Sequence, residues 1–377
     1  MTRIGIFGGG QLAQMLTQAA VSLGLETVIA ERTADSPAGR LTQHELVGAW
    51  EDPQLLSAFA ACTDRITLEN EFVDAAILAA LEAQGKLVVP SAAAVARVQD
   101  KLVQKQCLAA AGLAVAPFRA VATPADVHTA AADFGGWPVV LKARRNGYDG
   151  YGNATLRSAA DVDAAWERLQ RGADSLLVEA FVPFVHELAV MIVRSLDGQI
   201  SAYPVVETVQ EQHICRIVRA PAQLPAPQIA AAGELAAAAV TAVGGTGIFG
   251  VELFALANGQ VLINELAPRP HNSGHYSIEG CITSQFENHL RAVMGWPIGA
   301  TTLRAPAVVM VNLLGRQDGP VPADALAAAL AIPHAHLHLY GKRQSRRGRK
   351  MGHVTVLGSS VDEAEALALQ AAALVQV

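Results

Sequence analysis

Two acids and the loop behind one of them carry the clearest chemistry in this chain. The stretch Asn264-Glu265-Leu-Ala-Pro-Arg269-Pro-His271-Asn272-Ser273-Gly274-His275 follows the apolar run Val261-Leu262-Ile263, in a chain of which only 16% of residues are charged. Two prolines stiffen it, so acid, guanidinium, amide and imidazole groups are held together at the end of a strand. A partner for Glu265 lies upstream, because Asn258-Gly259 is a hairpin signal. A two-residue type I′ turn pairs Ala257 with Gln260, and counting back along both strands sets Glu252 opposite Glu265 on one face. Their Cβ atoms would then lie about 5 Å apart. Two carboxylates so close repel by up to about 4 kcal/mol at an effective dielectric of about 20, which calls for a cation, a shared proton or an outward splay. Oxygen donors from two acids, with the Asn264 amide beside them, suit a Mg2+ ion that also binds phosphate oxygens. The alternative is a solvated hairpin face with both acids turned outward.

A second group of residues supplies the phosphate site. In Pro138-Val-Val-Leu-Lys142-Ala-Arg144-Arg145-Asn-Gly147-Tyr148-Asp149-Gly150-Tyr151-Gly152-Asn153, a lysine ends an apolar strand and three glycines follow. A lysine there must reach an anion or water, and glycines let backbone N–H groups approach phosphate without Cβ obstruction. Walker A spacing is absent, and a hairpin with solvated basic residues is the competing reading. A third glycine cluster, Phe7-Gly8-Gly9-Gly10-Gln11-Leu12-Ala13, fits G-x-G-x-x-A, with Glu31 about 20 residues on. Alone it admits an NAD-dependent oxidoreductase, with pyrophosphate at the helix N-terminus and Glu31 on a ribose. It equally admits a tight turn used for packing.

The elements that must position these groups follow from periodicity. Residues 1–95 alternate strands (3–7, 26–30, 65–69, 87–89) with helices (from Gln11, 52–61, 73–84), the pattern of a doubly wound α/β unit. A helical stretch then runs from Ser91 to about Ala111. Strands at 118–121, 138–143 and 175–180 alternate with helices at 124–133 and 159–170. Beyond them come strands near 187–194, 199–206 and 213–219, a helix near 226–242, the acid-bearing hairpin and a helix over 283–294. Strands at 306–314, 335–340 and 353–357 and a helix from Asp362 close the chain.

A length of 377 residues suggests two to four domains. The net charge of -6 gives no whole-protein attraction for nucleic acid or anionic membrane. Cys62, Cys107, Cys215 and Cys281 form no C-x-x-C pair, no apolar run reaches membrane-spanning length, and the N-terminus reads as a strand rather than a signal peptide. A reducing cytoplasm is the expected location.

Lys142 with its glycine loop, Leu177-Val-Glu179-Ala180-Phe181-Val182 followed by Glu187, and Glu252 with Asn264-Glu265 resemble the ATP-grasp superfamily. Within it, Gly9-Gly-Gln11-Leu12, Gly147-Tyr-Asp-Gly, the 264–275 tract and Gly348-Arg-Lys350-Met-Gly-His353 are similar to the N5-carboxyaminoimidazole ribonucleotide synthetases of purine biosynthesis, nearly end to end. The resemblance implies ATP- and Mg2+-dependent carboxylation of 5-aminoimidazole ribonucleotide by bicarbonate, through carboxyphosphate. It implies a fold of mixed α/β and α+β class: a Rossmann-like domain over 1–95, a central ATP-grasp lid over 96–186, and an ATP-grasp body over 187–377 with a small C-terminal extension from about 300. It also implies a homodimer. Carried over residue by residue, Lys142 and Lys101 hold ATP phosphates under the loop Gly147, Tyr148, Asp149, Gly150, Tyr151, Gly152 and Asn153. Glu179, Ala180, Phe181 and Val182 frame adenine, Glu187 binds ribose hydroxyls, and Gln210 lies on the nucleotide side. Glu252 and Glu265 hold Mg2+, with Asn264 beside them. Arg269 takes bicarbonate or carboxyphosphate through its planar fork, with His271, Asn272, Ser273 and Lys350 nearby. Gln11, Leu12, Tyr148, Asp149 and Arg347 join Arg269, Asn272, Ser273 and Lys350 around the nucleotide substrate.

The sequence departs from the family pattern in three places. Tyr151 stands where an arginine is usual, Gln210 where a histidine is usual, and Ala13-Gln14 where Gly-Arg follows Gln-Leu. The basic run Lys342-Arg343-Gln-Ser-Arg346-Arg347-Gly-Arg349-Lys350 lacks interleaved aromatics, so no nucleic-acid partner is expected, and a substrate phosphate accounts better for Arg347 and Lys350. The alternatives are another ATP-grasp ligase, such as one formylating glycinamide ribonucleotide with formate, and an NAD-dependent dehydrogenase.

Overall fold

The structure, a computed structural model, describes residues 1–147, 152–170, 175–211, 214–322 and 324–377. The first sheet has five parallel strands, with Arg3–Phe7 in the middle, Glu26–Glu31 and Glu45–Val47 on one side, and Arg65–Leu68 and Leu87–Val88 on the other. Residues of the central strand serve two cores in alternation, as a period of two requires. Ile4 and Ile6 enter the cluster under the helix Gln11–Ser22, while Phe7 packs with Phe59, Ile66 and Leu68 on the opposite face.

The helical stretch expected from Ser91 to Ala111 is divided. Helix Ala92–Gln99 ends and Lys101–Ala110 begins at Asp100, whose carboxylate accepts the N–H groups of Leu102 (3.0 Å) and Val103 (3.4 Å). The cap restarts the helix after one extended residue, and it fixes Lys101 and Lys105 one turn apart on one face.

A four-stranded antiparallel sheet follows, in the order Phe118–Val121, Leu176–Ala180, Val139–Ala143, Asn153–Leu156. Helices Pro124–Asp133 and Val162–Gln170 cover it, and Trp166, Leu141 and Val178 fill the space between. Its last strand has no counterpart among the strands expected from the sequence.

The largest sheet runs Val261–Ala267, Gly247–Leu256, Phe184–Arg194, Val206–Glu211, Ile214–Ala220, Ala307–Leu314, Lys350–Gly358, Ala335–Leu339, with Ile200–Ala202 added beside Phe184–Arg194. The strand expected over 199–206 is only Ile200–Ala202, and Val206–Glu211 is a separate strand that begins where the expected one ends. The last three strands of the path continue the same sheet: Ala307–Leu314 pairs with Ile214–Ala220, Lys350–Gly358 with Ala307–Leu314, and Ala335–Leu339 with Lys350–Gly358. Leu188, Val190 and Ile192 pack against Ala232, Ala236 and Ala239 of the helix Ala226–Ala242, where small side chains let helix and sheet approach closely. Ala189, Met191 and Val193 face the other way, toward Tyr276 and Ala292.

One core crosses between sheets: Ile4, Ile6 and Leu16 share a cluster with Phe286, Leu290 and Val293 of the helix Gln285–Met294 and with Tyr340. Among the described residues no helix is long and apolar enough to cross a membrane.

Candidate active site

The acid-bearing hairpin forms, though not by the turn that the sequence suggests. Its loop is Ala257-Asn258-Gly259, three residues long, since Leu256 N–H donates to Gln260 O (2.9 Å) and Gly259 has φ +88°. Three-residue hairpin loops with glycine in the left-handed region are a common solution. The register is therefore Ala255↔Val261 and Leu253↔Ile263, one residue off the expected pairing. A β-bulge then inserts Asn264, and Glu252 pairs with Glu265 after all. Bulges re-aim side chains. This one turns the Asn264 amide toward Lys142 Nζ (Oδ1, 3.2 Å) and Glu252 Oε2 (Nδ2, 3.5 Å), while its carbonyl accepts from Lys105 Nζ (3.1 Å).

The charge that the facing acids need is supplied in part by Lys101, whose Nζ contacts Glu265 Oε2. Glu252 is met by His271 Nε2 at 3.5 Å. Burial raises the Glu252 carboxyl above its usual range, against the pull of Lys101, Lys350, Lys142 and Arg269. Burial, with the Glu252 charge second, pushes Glu187 up to about 7. His271 is lowered to about 3 by burial and then by the Arg269 and Lys350 charges, so its imidazole is neutral near pH 7. Its Nδ1 accepts from Ser273 N–H (3.4 Å), which assigns the proton to Nε2, toward Glu252.

Across from the hairpin, the strand Val139–Ala143 presents Lys142, only 8% exposed, with Nζ 3.1 Å from Glu179 Oε2. Lys105 approaches the same oxygen at 3.2 Å. Burial would raise Glu179, and the two ammonium groups outweigh it and hold the carboxyl low. Burial first, then the Lys142 charge, lowers Lys101 to about 8; Lys105 also falls to about 8, chiefly by burial. Glu179 Oε1 is buried without a hydrogen-bond partner among the described residues. Gly147 and Gly152 meet at the neck of the loop, where a Cβ on Gly152 would lie 2.4 Å from Gly147 Cα.

Two clefts result. One of ≈ 390 Å³ is lined by Lys101, Lys142, Gly147, Gly152, Asn153, Glu179, Ala180, Phe181, Val182, Glu187, Gln210 and Asn264, among others. A second of ≈ 330 Å³ is lined by Gln11, Leu12, Glu69, Glu71 and Arg269, among others. Seven residues line both: Lys101, Gly147, Glu252, Glu265, His271, Asn272 and Lys350. They form a partition of charged and polar groups.

Some expected residues lie elsewhere. Ser273 is buried outside the lining of both clefts, and Arg347 is exposed, its N–H on Asp318 Oδ1 (3.1 Å). Tyr148, Asp149, Gly150 and Tyr151 lie outside the described residues. Ala180 lines the larger cleft with its N–H already given to Pro117 O (2.9 Å). The Arg269 fork is engaged by Glu71, with Nε–Oε2 2.5 Å and Nη2–Oε1 3.0 Å. Burial would raise Glu71, but the Arg269 charge and hydrogen bonds hold it below the usual range. Nη1 donates to Pro270 O (3.2 Å), so each terminal nitrogen keeps one further N–H for an anion in the cleft. The Asn272 amide is closed on Asn312, Nδ2 to Oδ1 2.9 Å and Oδ1 from Nδ2 2.7 Å. Gln285 brackets His271, accepting its N–H (2.9 Å) and donating to its carbonyl (2.8 Å). Glu71, Asn312, Gln285 and Lys105 have no local motif that marks them.

The glycine cluster at residues 8–10 is filled from within. Gly9 N–H donates to Glu31 Oε2 (2.7 Å), while Gly10 and Ala13 donate to the two oxygens of Glu69 (2.9 and 3.1 Å). The N–H groups that would cradle a pyrophosphate, and the acid that would hold a ribose, are thus bonded to one another or to Glu69, which corrects the dinucleotide reading.

A lysine-bearing strand of one antiparallel sheet, facing an acid-bearing hairpin of another across a nucleotide-sized cleft, defines an ATP-grasp ligase. The family model described as ATP-grasp domain matches residues 106–286, the ribonucleotide synthetase preATP-grasp domain matches 1–99, and the phosphoribosylaminoimidazole carboxylase C-terminal domain matches 308–367. The chain is 42% identical to an N5-carboxyaminoimidazole ribonucleotide synthase from Synechococcus elongatus, covering 96% of this chain and 91% of that one. It is also 42% identical to a phosphoribosylaminoimidazole carboxylase from Schizosaccharomyces pombe, over 96% of this chain but 66% of the yeast protein. An N5-carboxyaminoimidazole synthase from Aspergillus clavatus, solved with ADP and 5-aminoimidazole ribonucleotide, superposes with a TM-score of 0.90 at 36% identity, covering 99% and 98% of the two chains. The chain belongs to the N5-carboxyaminoimidazole ribonucleotide synthase family.

Proposed function

We propose that this protein carboxylates 5-aminoimidazole ribonucleotide on its exocyclic amine, consuming ATP and bicarbonate and releasing ADP and phosphate. The observation that carries the reading is the partition. A phosphoryl donor in the larger cleft and an amine acceptor in the smaller one meet across Glu252, Glu265, His271 and Lys350. Bicarbonate is a poor electrophile, and transfer of the terminal phosphoryl group to it makes carboxyphosphate, whose carboxyl carbon the amine can attack. Lys142 and Lys101 bind the polyphosphate, and Glu187 accepts ribose hydroxyls. Glu179 Oε1, buried and unpaired among the described residues, suits the amino group of adenine. Arg269, oriented by Glu71, presents its remaining N–H groups to bicarbonate. His271, neutral, turns its single N–H toward Glu252 and so orients that acid beside the bicarbonate site without adding charge.

The carboxylate oxygens of Glu252 and Glu265 fit a hard cation, and those two residues would hold Mg2+, with Asn264 beside them. When bound, the ion neutralises charge on the transferred phosphoryl group. The reading carries with it a cytoplasmic homodimer, which sedimentation equilibrium and cell fractionation test.

The decisive measurement is ADP release with ATP, Mg2+, bicarbonate and aminoimidazole ribonucleotide, each omitted in turn. Turnover is expected to need all four. ADP formation indifferent to aminoimidazole ribonucleotide would sink the substrate assignment, and formate replacing bicarbonate would point to the formylating relatives.

A further inference from the structure

Lys105 lies outside the lining of both clefts, yet its ammonium group is bound to the machinery of the larger one. It is 2% exposed, one helical turn beyond Lys101 in Lys101–Ala110. Its Nζ lies 3.2 Å from Glu179 Oε2, on the strand Leu176–Ala180, and 3.1 Å from Asn264 O, on the strand Val261–Ala267. One cation therefore ties a strand of the four-stranded sheet to the bulge of the large one. The second contact answers a local need, because a bulge interrupts the ladder and leaves backbone groups to be satisfied by other donors.

The charges make the first contact consequential. Glu179 Oε2 also accepts from Lys142 Nζ at 3.1 Å, so one carboxylate faces two ammonium groups. With both lysines present the trio carries a net positive charge. Without Lys105, Lys142 and Glu179 form a formally neutral pair, and Lys142 is held by the carboxylate instead of being available to an anion.

We propose that Lys105 is a positioning residue for the phosphoryl donor: by neutralising Glu179 and holding the Asn264 carbonyl, it leaves the charge of Lys142 for the polyphosphate. The inference rests on the reading of the larger cleft as the ATP site. A purely structural tie would weaken all ligands of the cleft alike. An electrostatic one weakens them in proportion to their phosphate charge.

The test is binding of ATP, and of adenosine by competition, to the full-length chain as wild type, Lys105→Met, Lys105→Gln and Lys105→Arg. The Met variant is expected to bind ATP about tenfold or more weakly, with adenosine changed less than about twofold. KM for ATP should rise with kcat at saturation within about threefold, and the Arg variant should restore ATP binding. If the Met variant does not fold, the Gln variant, which keeps a donor for Asn264 O but not the charge, is expected to show the same selective loss. Unchanged ATP affinity, or equal loss for ATP and adenosine, overturns the inference alone, provided wild type prefers ATP. A wild type that binds ATP no more tightly than adenosine overturns it together with the ATP reading of the cleft.

Discussion

Glu252 and Glu265 show how two facing carboxylates share a site with lysine. Lys101 partners Glu265, so Glu265→Gln relieves repulsion at Glu252 but also leaves Lys101 beside Lys142 without its acid. The two effects offset, and stability in urea melts is expected to change by no more than about 1 kcal/mol. ADP formation should fall about a hundredfold, as for loss of a metal-holding group. Equal kcat with unaltered Mg2+ dependence would remove Glu265 from the site. Glu187 makes a pH-dependent prediction. Its folded-state value, about 7, lies above the ordinary 4.5, so the stability it lends is fully present below about 4.5 and lost as pH rises through about 7. Glu187→Gln should therefore raise the stability of the ligand-free protein at pH 8 by on the order of 1 kcal/mol, with little change at pH 4 to 5, while weakening ATP. A Tm gain equal at both pH values would refute the assignment. The acids and bases that chemistry needs were legible because they cluster in short tracts. Their supports were not: Glu71 stands 198 residues from Arg269, and Asn312 stands 40 from Asn272. Nothing in the spacing of either sequence segment names such a partner.

At the scale of elements, the hairpin of Gly247–Leu256 and Val261–Ala267 shows both the reach and the weakness of counting. The opposition of Glu252 and Glu265 holds, but only because a three-residue loop and a bulge displace the register by one residue each in opposite senses. Turn type is set by backbone twist and by the tertiary contacts around the bulge, which Asn-Gly alone does not specify. Gly259, at φ +88°, has open space around it, so Gly259→Ala meets backbone strain without a clash. A loss of about 1–2 kcal/mol in thermal or urea melts, with KM and kcat unchanged, is expected, since the bulge separates loop from site. A large fall in kcat would mean that the turn transmits its geometry to the acids. The helix break at Asp100 was hidden for a related reason. Its cap is an ordinary Asp signal, but Arg144, just past the strand Val139–Ala143, also holds that carboxylate, at 2.6 Å.

In the molecule as a whole, the parallel sheet and the large sheet are not separable bodies, because Phe286, Leu290 and Val293 complete the core beneath Ile4, Ile6 and Leu16. Leu290→Ala is expected to cost about 2–5 kcal/mol, and calorimetry should show the two regions melting in one transition, at lower temperature. Two transitions, with only one displaced, would show that they fold independently. Alternation of strand and helix made the parallel unit readable from sequence. The shared core was not, since apolar periodicity tells a face is buried without telling against what.

Glu69 gives the same architecture a second meaning. A carboxyl group tethered to the fold occupies the N-terminus of Gln11–Ser22 without having to bind from solution. The N-terminal domain thus keeps the outline of a cofactor reader while its own carboxyl groups, Glu31 and Glu69, fill the place of a bound phosphate.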